Sequence, residues 1–345
     1  MRYIEVSGTP FQRGFRHGRE LKEQIGAAIE FAERASWLQE TRTQRGALLL
    51  ENMSHWLLRK FPSLVEEMEG IAEGASVESD IIERLNMAYA VLSIVSATET
   101  DRCTNFGITG SPWGPIHGKT IDVLDDYVLY VLQRVEPVNG HPFLGAGWAG
   151  TVWMEIGMND AGLSCGTSSA PAAPHQDGMG VPQHMLPRAV MEHCSTVPQT
   201  LEFLANNVMA GNGLNFMIAD ADGSLAAVEK SHDKQAVLSP QGGYLFVTNH
   251  FVTREMEGLN RPSSELYLNS LNRYKNLEQI FSVRKSAHTL ETMERTLKDH
   301  NERGPICQHG PDLYTHFGCL LFPKKKEFWM SDGQPCSATF TRFSV

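Results

Sequence analysis

The chain has 345 residues, 41% of them hydrophobic and 20% charged, which is enough to bury one large core or two ordinary ones and too apolar for general disorder. Thirty Lys and Arg against forty Asp and Glu give a net charge of −10, spread without long blocks of one sign, so neither nucleic acid nor an anionic membrane surface is an expected partner. No window approaches about 18 consecutive apolar residues and the start, Met1-Arg2-Tyr3-Ile4-Glu5, lacks a signal-peptide pattern, so a soluble cytoplasmic protein is expected.

The first hundred residues read as a helical block. Leu21, Ile25, Ala28, Ile29 and Ala32 recur at three- and four-residue steps and share one helix face. A second pattern runs through Leu48, Leu49, His55, Trp56 and Leu58 and, past Pro62, through Leu64, Met68 and Ile71, with Gly74 as the expected stop. Glu78 and Asp80 suit the start of a third helix, which carries Ile81, Ile82, Leu85, Ala88 and Leu92.

Near residue 100 the texture changes. Segments 103–108, 116–123, 127–135 and 152–158 are short, rich in β-branched and aromatic residues, and separated by Gly, Pro, Asn and Asp, as strands joined by turns are. Asn159-Asp160-Ala161-Gly162 and Asp220-Ala221-Asp222-Gly223 have the residues of hairpin connections. Residues 169–182 form a Gly/Pro/Ala-rich loop, read as a rim or lid. Helical stretches at 183–207, broken near Thr196-Val197-Pro198, and at 263–300, broken at 285–288, precede strands at 318–322, 327–330 and 338–343. Runs of strands and runs of helices predict α+β layers with mostly antiparallel sheets, in one domain without repeats.

Six cysteines, Cys103, Cys165, Cys194, Cys307, Cys319 and Cys336, are too few and too scattered for a disulfide scaffold, so reduced thiols are expected. A single Cys at a strand start is ordinarily a small buried hydrophobe. Cys103 differs by position, because it stands where the helical block hands over to the first strand.

Five segments carry a resemblance. They are Gly8-Thr9-Pro10-Phe11-Gln12-Arg13-Gly14-Phe15-Arg16-His17-Gly18, Asp101-Arg102-Cys103-Thr104, Gly118-Lys119-Thr120-Ile121-Asp122, Thr248-Asn249-His250 and Ile306-Cys307-Gln308-His309. In this order, over essentially the full chain, they resemble the isopenicillin N acyltransferase (acyl-coenzyme A:6-aminopenicillanic acid acyltransferase) family of self-processing N-terminal-nucleophile (Ntn) hydrolases. That resemblance implies a four-layer αββα sandwich. It also implies a precursor cut between Arg102 and Cys103 into an α subunit, 1–102, and a β subunit, 103–345, which stay together as an αβ heterodimer.

An N-terminal Cys carries its own general base, because an α-amino group titrates near ~7.7–8.0 and can take the thiol proton at neutral pH. By resemblance Asp122 contacts that amine or the substrate amide, Asn249 stabilises the oxyanion, and Lys119 sits where the wider superfamily has a basic residue. On the residues alone Asp122 and Asn249 read equally as turn formers, and Lys119 as an exposed strand lysine. His250, Gln308 and His309 are candidate pocket residues. Two positions depart from the family pattern: Arg102 stands where Gly is common, and Gln308 where Arg is usual, which argues against carboxylated penicillin-type substrates.

The expected reaction is acyl transfer at the amide of a small N-acylated substrate through a Cys103 thioester, with water, an amine or coenzyme A as the second partner. No Gly-rich phosphate loop marks a nucleotide site and no cofactor is expected. Cys307, His309, His316 and Cys319 offer soft ligands, but the spacing C-x-H then H-x-x-C is not a common structural-zinc pattern, so no metal is expected. Two alternatives stay open at this level: a conventional Cys–His hydrolase, and an uncleaved, non-enzymatic binding protein.

Overall fold

The computed structural model describes residues 1–95, 103–123, 130–172, 177–261, 265–282, 289–310 and 313–345. Strand β1 (Arg2–Gly8) leads into six helices, α1 (Pro10–Glu20), α2 (Lys22–Arg34), α3 (Trp37–Arg42), α4 (Gln44–Lys60), α5 (Pro62–Ala75) and α6 (Ser79–Val95). Strands β2 (Thr104–Ser111), β3 (Gly114–Val123), β4 (Tyr130–Pro137), β5 (Phe143–Trp148), β6 (Ile156–Asn159), β7 (Ser164–Ala170) and β8 (Val181–Pro182) follow. Helices α7 (Met185–His193) and α8 (Val197–Ala205) precede β9 (Met209–Ala210), β10 (Gly213–Ala219), β11 (Leu225–Ser231), β12 (Lys234–Leu238) and β13 (Tyr244–Val247). The chain ends with α9 (Glu265–Ser282), α10 (Leu290–Leu297), β14 (His309–Gly310), β15 (Leu313–Phe322), β16 (Glu327–Ser331) and β17 (Phe340–Ser344).

Two sheets organise these elements. The first runs β1-β4-β5-β6-β7-β10-β11-β12, and the second β13-β2-β3-β15-β16-β17 with β14 on β15. Every pairing in them is antiparallel except β1 with β4. Ile121, Phe317, Cys319 and Leu321 of the second sheet share one core with Val131, Ile156 and Phe216 of the first. Alternate residues of the second sheet, Phe106, Ile108, Ile116 and Leu320, pack on Leu277, Phe281, Met293 and Leu297 of α9 and α10. Helices α1, α7 and α8 lie against the first sheet. The result is the expected α+β sandwich of four layers, helices on both outer faces of two facing sheets.

The helical block differs from the sequence reading in three respects. It opens with a strand, β1, which pairs in parallel with β4 from Arg2↔Val131 to Gly8↔Pro137; its short burial alternation is not distinctive at the residue level. The second apolar pattern is two helices, α4 and α5, divided at Phe61 with Pro62 opening α5. Gly74 does not end α5, which runs to Ala75 and stops at Ser76 in the left-handed conformation, φ 59°. Gly74 is instead a packing residue: with Gly14, Gly18 and Gly70 it brings α1 and α5 backbone to backbone. A Cβ at any of the four would lie 2.0–2.2 Å from a carbonyl oxygen of the other helix.

Later elements also shift. Ser169 and Ala170 finish β7, so the Gly/Pro-rich loop begins after them, and its residues 173–176 lie outside the described residues. The same holds for 127–129 of the segment expected to become β4 and for the expected helix break at 285–288. In the 152–158 segment only the end, from Ile156, joins a ladder. Among the described residues no helix is long and apolar enough to cross a membrane.

His17 on α1 yields a stability prediction. It is buried, its Nε2 accepts the Gly150 backbone N–H at 2.9 Å, and burial lowers its pKa to about 4. In the unfolded chain the imidazole takes its proton near ~6.5. Below that pH the unfolded state binds more protons, so stability that is complete above ~6.5 drains away as pH falls toward the folded-state value. His17 alone accounts for about 3 kcal/mol of this loss by pH 4. Denaturant unfolding at pH 7 and pH 4.5 should give a smaller acid loss in His17→Gln than in wild type; equal losses would remove His17 as the cause.

Candidate active site

Cys103 lies immediately before β2 and is 1% exposed. The ladder pairs Thr104 with Thr120, so it carries Cys103 toward the level of Ile121 on β3, beside Asp122. Its thiol donates to Oε2 of Glu155 at 3.5 Å. The other oxygen of that carboxylate, Oε1, accepts the Tyr130 hydroxyl at 2.7 Å. Lys119 is fully buried rather than exposed: its Nζ donates to the Thr167 carbonyl and lies 4.0 Å from Glu155 Oε2. Lys119 points between the sheets because it alternates with Gly118 and Thr120, and the ammonium supplies the positive charge that a buried carboxylate requires.

The Cys103 carbonyl is held on its other side. Arg273 of α9, fully buried, donates from Nη1 to that oxygen at 2.9 Å and to Thr104 Oγ1 at 2.8 Å, and from Nη2 to Asn249 Oδ1 at 2.7 Å. Ser168 Oγ donates to the same carbonyl at 3.2 Å. Asn249 Nδ2 donates to the Ser169 carbonyl at 2.7 Å. Asn249 and Cys103 are thus joined through one guanidinium. An amide carries two N–H groups, so with one held by Ser169 the second is available to an oxyanion.

Asp122 is a strand residue, not a turn former, and turns to the face that carries Thr120. It accepts Thr315 Oγ1 at 2.6 Å on Oδ1, and Gln308 Nε2 and Thr120 Oγ1 at 3.0 Å each on Oδ2. Burial pushes its carboxyl up to about 6, against the opposing pull of Arg273 and of these three donors. At neutral pH the group is largely ionised, on the strand that pairs with the one Cys103 leads into. Gln308 is itself buried and fixed by Asn269 Nδ2, which donates to its Oε1 at 3.0 Å.

Other expected residues lie elsewhere. His250 is buried, hydrogen-bonded through Nδ1 to Thr248 and Ser270 and packed on the rings of Tyr267 and Tyr274; burial, then Arg273, lowers its pKa to about 4. His309 is exposed and its Nε2 faces two sulfurs, Cys307 and Cys336. Arg102 lies outside the described residues. The Cys307, His309, His316 and Cys319 group is divided: His316 packs on Tyr130 and Tyr314, and Cys319 faces the inter-sheet core, where burial raises its pKa.

Glu155, Tyr130 and Arg273 were missed from the sequence. A signal existed for two of them. Glu155 is a lone carboxylate in the apolar run Val152-Trp153-Met154-Glu155-Ile156, and Asn269, Ser270, Arg273 and Asn276 set polar groups at helical spacing beside the buried Leu277. Next to Tyr130 opens a cavity of about 600 Å³, lined among others by Gln24, Tyr314, His316, Phe317 and Asp332. Phe317 pairs with Ile121, so this wall reaches the level of Cys103.

Residues 114–321 match the family model described as acyl-coenzyme A:6-aminopenicillanic acid acyl-transferase. The Emericella nidulans acyl-coenzyme A:6-aminopenicillanic-acid-acyltransferase 40 kDa form is 24% identical over 229 residues, covering 64% of this chain and 61% of that protein. Protein dcd1A of Dictyostelium discoideum is 25% identical over 285 residues, 69% of this chain and 60% of that one. The chain therefore spans about three fifths of the length of these curated relatives. Among solved structures, penicillin V acylase from Agrobacterium tumefaciens is similar with a TM-score of 0.47 and 17% identity, over 70% of this chain and 86% of that one.

Proposed function

The chain belongs to the acyl-coenzyme A:6-aminopenicillanic acid acyl-transferase family, and from that premise we propose that it is a cysteine Ntn amide hydrolase or acyltransferase. In this reading the chain cuts itself between Arg102 and Cys103, and Cys103 then attacks the amide of a small N-acylated substrate. The thiolate adds to the carbonyl, the amine leaves with the proton first taken from the thiol, and a thioester remains. Water, a second amine or coenzyme A takes the acyl group. Hydrolysis and transfer share the first half of this cycle and differ only in the acceptor.

The observation that carries the proposal is the setting of Cys103. Its thiol meets a carboxylate, Glu155, that Lys119 and Tyr130 hold, and its carbonyl is pinned by Arg273 and Ser168. Among the described residues the thiol bonds a carboxylate, Glu155, which supports the Ntn reading over a Cys–His pair. The cavity of about 600 Å³ is lined by Tyr130, whose hydroxyl bonds Glu155, and not by Cys103 itself; its size suits a small organic acyl group. Gln308 brings a neutral donor to Asp122, so nothing at that position attracts a substrate carboxylate, and an uncharged acyl amide is the proposed class. A thiol nucleophile suits the reducing cytoplasm, which we include in the proposal.

A panel of N-acyl amines and amino-acid amides, assayed for amine release, tests this directly. Release should vanish in Cys103→Ala. Asn249→Ala, which removes the proposed oxyanion donor, should lower kcat about 100- to 1,000-fold with little change in KM. Undiminished turnover in Asn249→Ala would remove that residue from the mechanism, and no Cys103-dependent release from any amide would remove the reaction class.

A further inference from the structure

Four side chains from three separate segments converge beside Gln308. His300 follows α10, Cys307 and His309 flank Gln308, and Cys336 lies in the turn after β16. Their ligand atoms all lie within 4.8 Å of one another. His309 Nε2 is 3.0 Å from His300 Nε2, 3.4 Å from Cys307 Sγ and 3.3 Å from Cys336 Sγ.

Hydrogen bonding does not account for this arrangement. An imidazole nitrogen carries either one proton or one lone pair, so His309 Nε2 can satisfy one of its three neighbours and not all. A tetrahedral ion resolves the conflict. With metal–nitrogen bonds of about 2.0–2.1 Å and metal–sulfur bonds of about 2.3 Å, ligand atoms stand roughly 3.3–3.8 Å apart; the three separations from His309 Nε2 need open by a few tenths of an ångström, and the wider pairs, within 4.8 Å, close to match.

We propose that His300, Cys307, His309 and Cys336 form a structural site for a zinc-like ion, closed by two thiolates and two imidazoles. The donor set is that of tetrahedral structural zinc, with no position left for water or substrate. Binding releases the two thiol protons to solvent and leaves a neutral site. Hydrogen bonds brace the loops that carry these ligands. The Cys307 N–H bonds the Asp299 carbonyl at 2.9 Å, and Gln334 Nε2 donates to the Gln308 carbonyl at 3.3 Å, so the loops already lean on one another. The ion ties the turn after β16 to the loop whose Gln308 donates to Asp122. The sequence spacing pointed to a different foursome: Cys336 lies 27 residues beyond His309, and His300 stands on the other side of the Cys307–His309 pair from His316 and Cys319.

Purified without chelator, the protein should carry one zinc per chain by elemental mass spectrometry and, once stripped, take back one equivalent of zinc alone. Cobalt(II) in its place should give a thiolate charge-transfer band in the near ultraviolet and the intense visible bands of a tetrahedral centre. Cys336→Ser and His300→Ala, at ligands on the accessible side, should each weaken zinc at least about 100-fold. Should either variant fail to fold, the cobalt spectrum of the wild type decides. A stripped, fully reduced wild-type chain that takes no zinc at micromolar concentration, cobalt bound without a thiolate band, or zinc uptake unchanged in both variants overturns the proposal. So does a Cys307–Cys336 disulfide in protein kept under reducing conditions.

Discussion

Intact-mass measurement of the purified wild-type chain is expected to give two polypeptides, residues 1–102 and 103–345, and Cys103→Ala a single chain of 345 residues. The cut needs a nucleophile, a proton acceptor and a route for the proton. Before cleavage Cys103 has no free amine, so its nitrogen is an amide and cannot act as base. Glu155 Oε2, 3.5 Å from the sulfur, is the acceptor on hand. Attack of sulfur on the preceding carbonyl expels the Cys103 nitrogen, which takes the proton from Glu155; water then opens the thioester, so one water is consumed for one peptide bond. Afterwards the freed α-amine, titrating near ~7.7–8.0, assumes the role of base beside Asp122. Glu155→Gln should therefore slow the cut, with some loss of stability because it leaves the buried Lys119 ammonium without its carboxylate, whereas Cys103→Ala abolishes it. A wild-type chain that remains whole under all conditions would sink the Ntn mechanism and favour an uncleaved binding protein.

The boundary at residue 103 was legible because two different periodicities meet there, 3.6 before and 2 after. The hairpins at Asn159–Gly162 and Asp220–Gly223 were legible for a local reason, turn chemistry; they join β6 to β7 and β10 to β11. What could not be read was anything set by contact between remote segments. β1 is a strand because β4 lies beside it 129 positions on, as the Arg2↔Val131 partnership shows. Glu155 and Arg273 meet Cys103 across 52 and 170 residues, and a charge that looks out of place in an apolar run does not announce its partner. The glycines of α1 and α5 show the same limit: Gly74 reads as a helix stop, while its purpose, shared with Gly70, is visible only when the facing helix is in place.

Glu67→Gln is expected to destabilise the protein by about 3–5 kcal/mol and, in the cleaved form, to loosen residues 1–102 from residues 103–345. Glu67 on α5 accepts from Arg13 of α1 at 2.7 Å and from Arg188 of α7 at 2.8 Å, and Glu192 of α7 lies 2.8 Å from Arg188 and 3.3 Å from Arg13. All four side chains are 3–5% exposed. Burial pushes the Glu67 carboxyl up, but Arg188 and Arg13 outweigh it and hold it below the usual range. Two positive and two negative charges balance, so removing one carboxylate leaves two buried guanidiniums with one partner, and that uncompensated charge is what costs stability. The network also joins the two proposed subunits, since Arg13 and Glu67 precede the cut and Arg188 and Glu192 follow it. The exposed Arg42–Glu33 pair, with both residues on the same side of the cut, is the control: Glu33→Gln should cost no more than about 1 kcal/mol. Denaturant midpoints compare the two variants, and size-exclusion chromatography at falling concentration reports whether the 1–102 piece leaves. Equal midpoints for Glu67→Gln and wild type would mean that packing along α1, α5 and β1 holds the halves together without help from the buried charges.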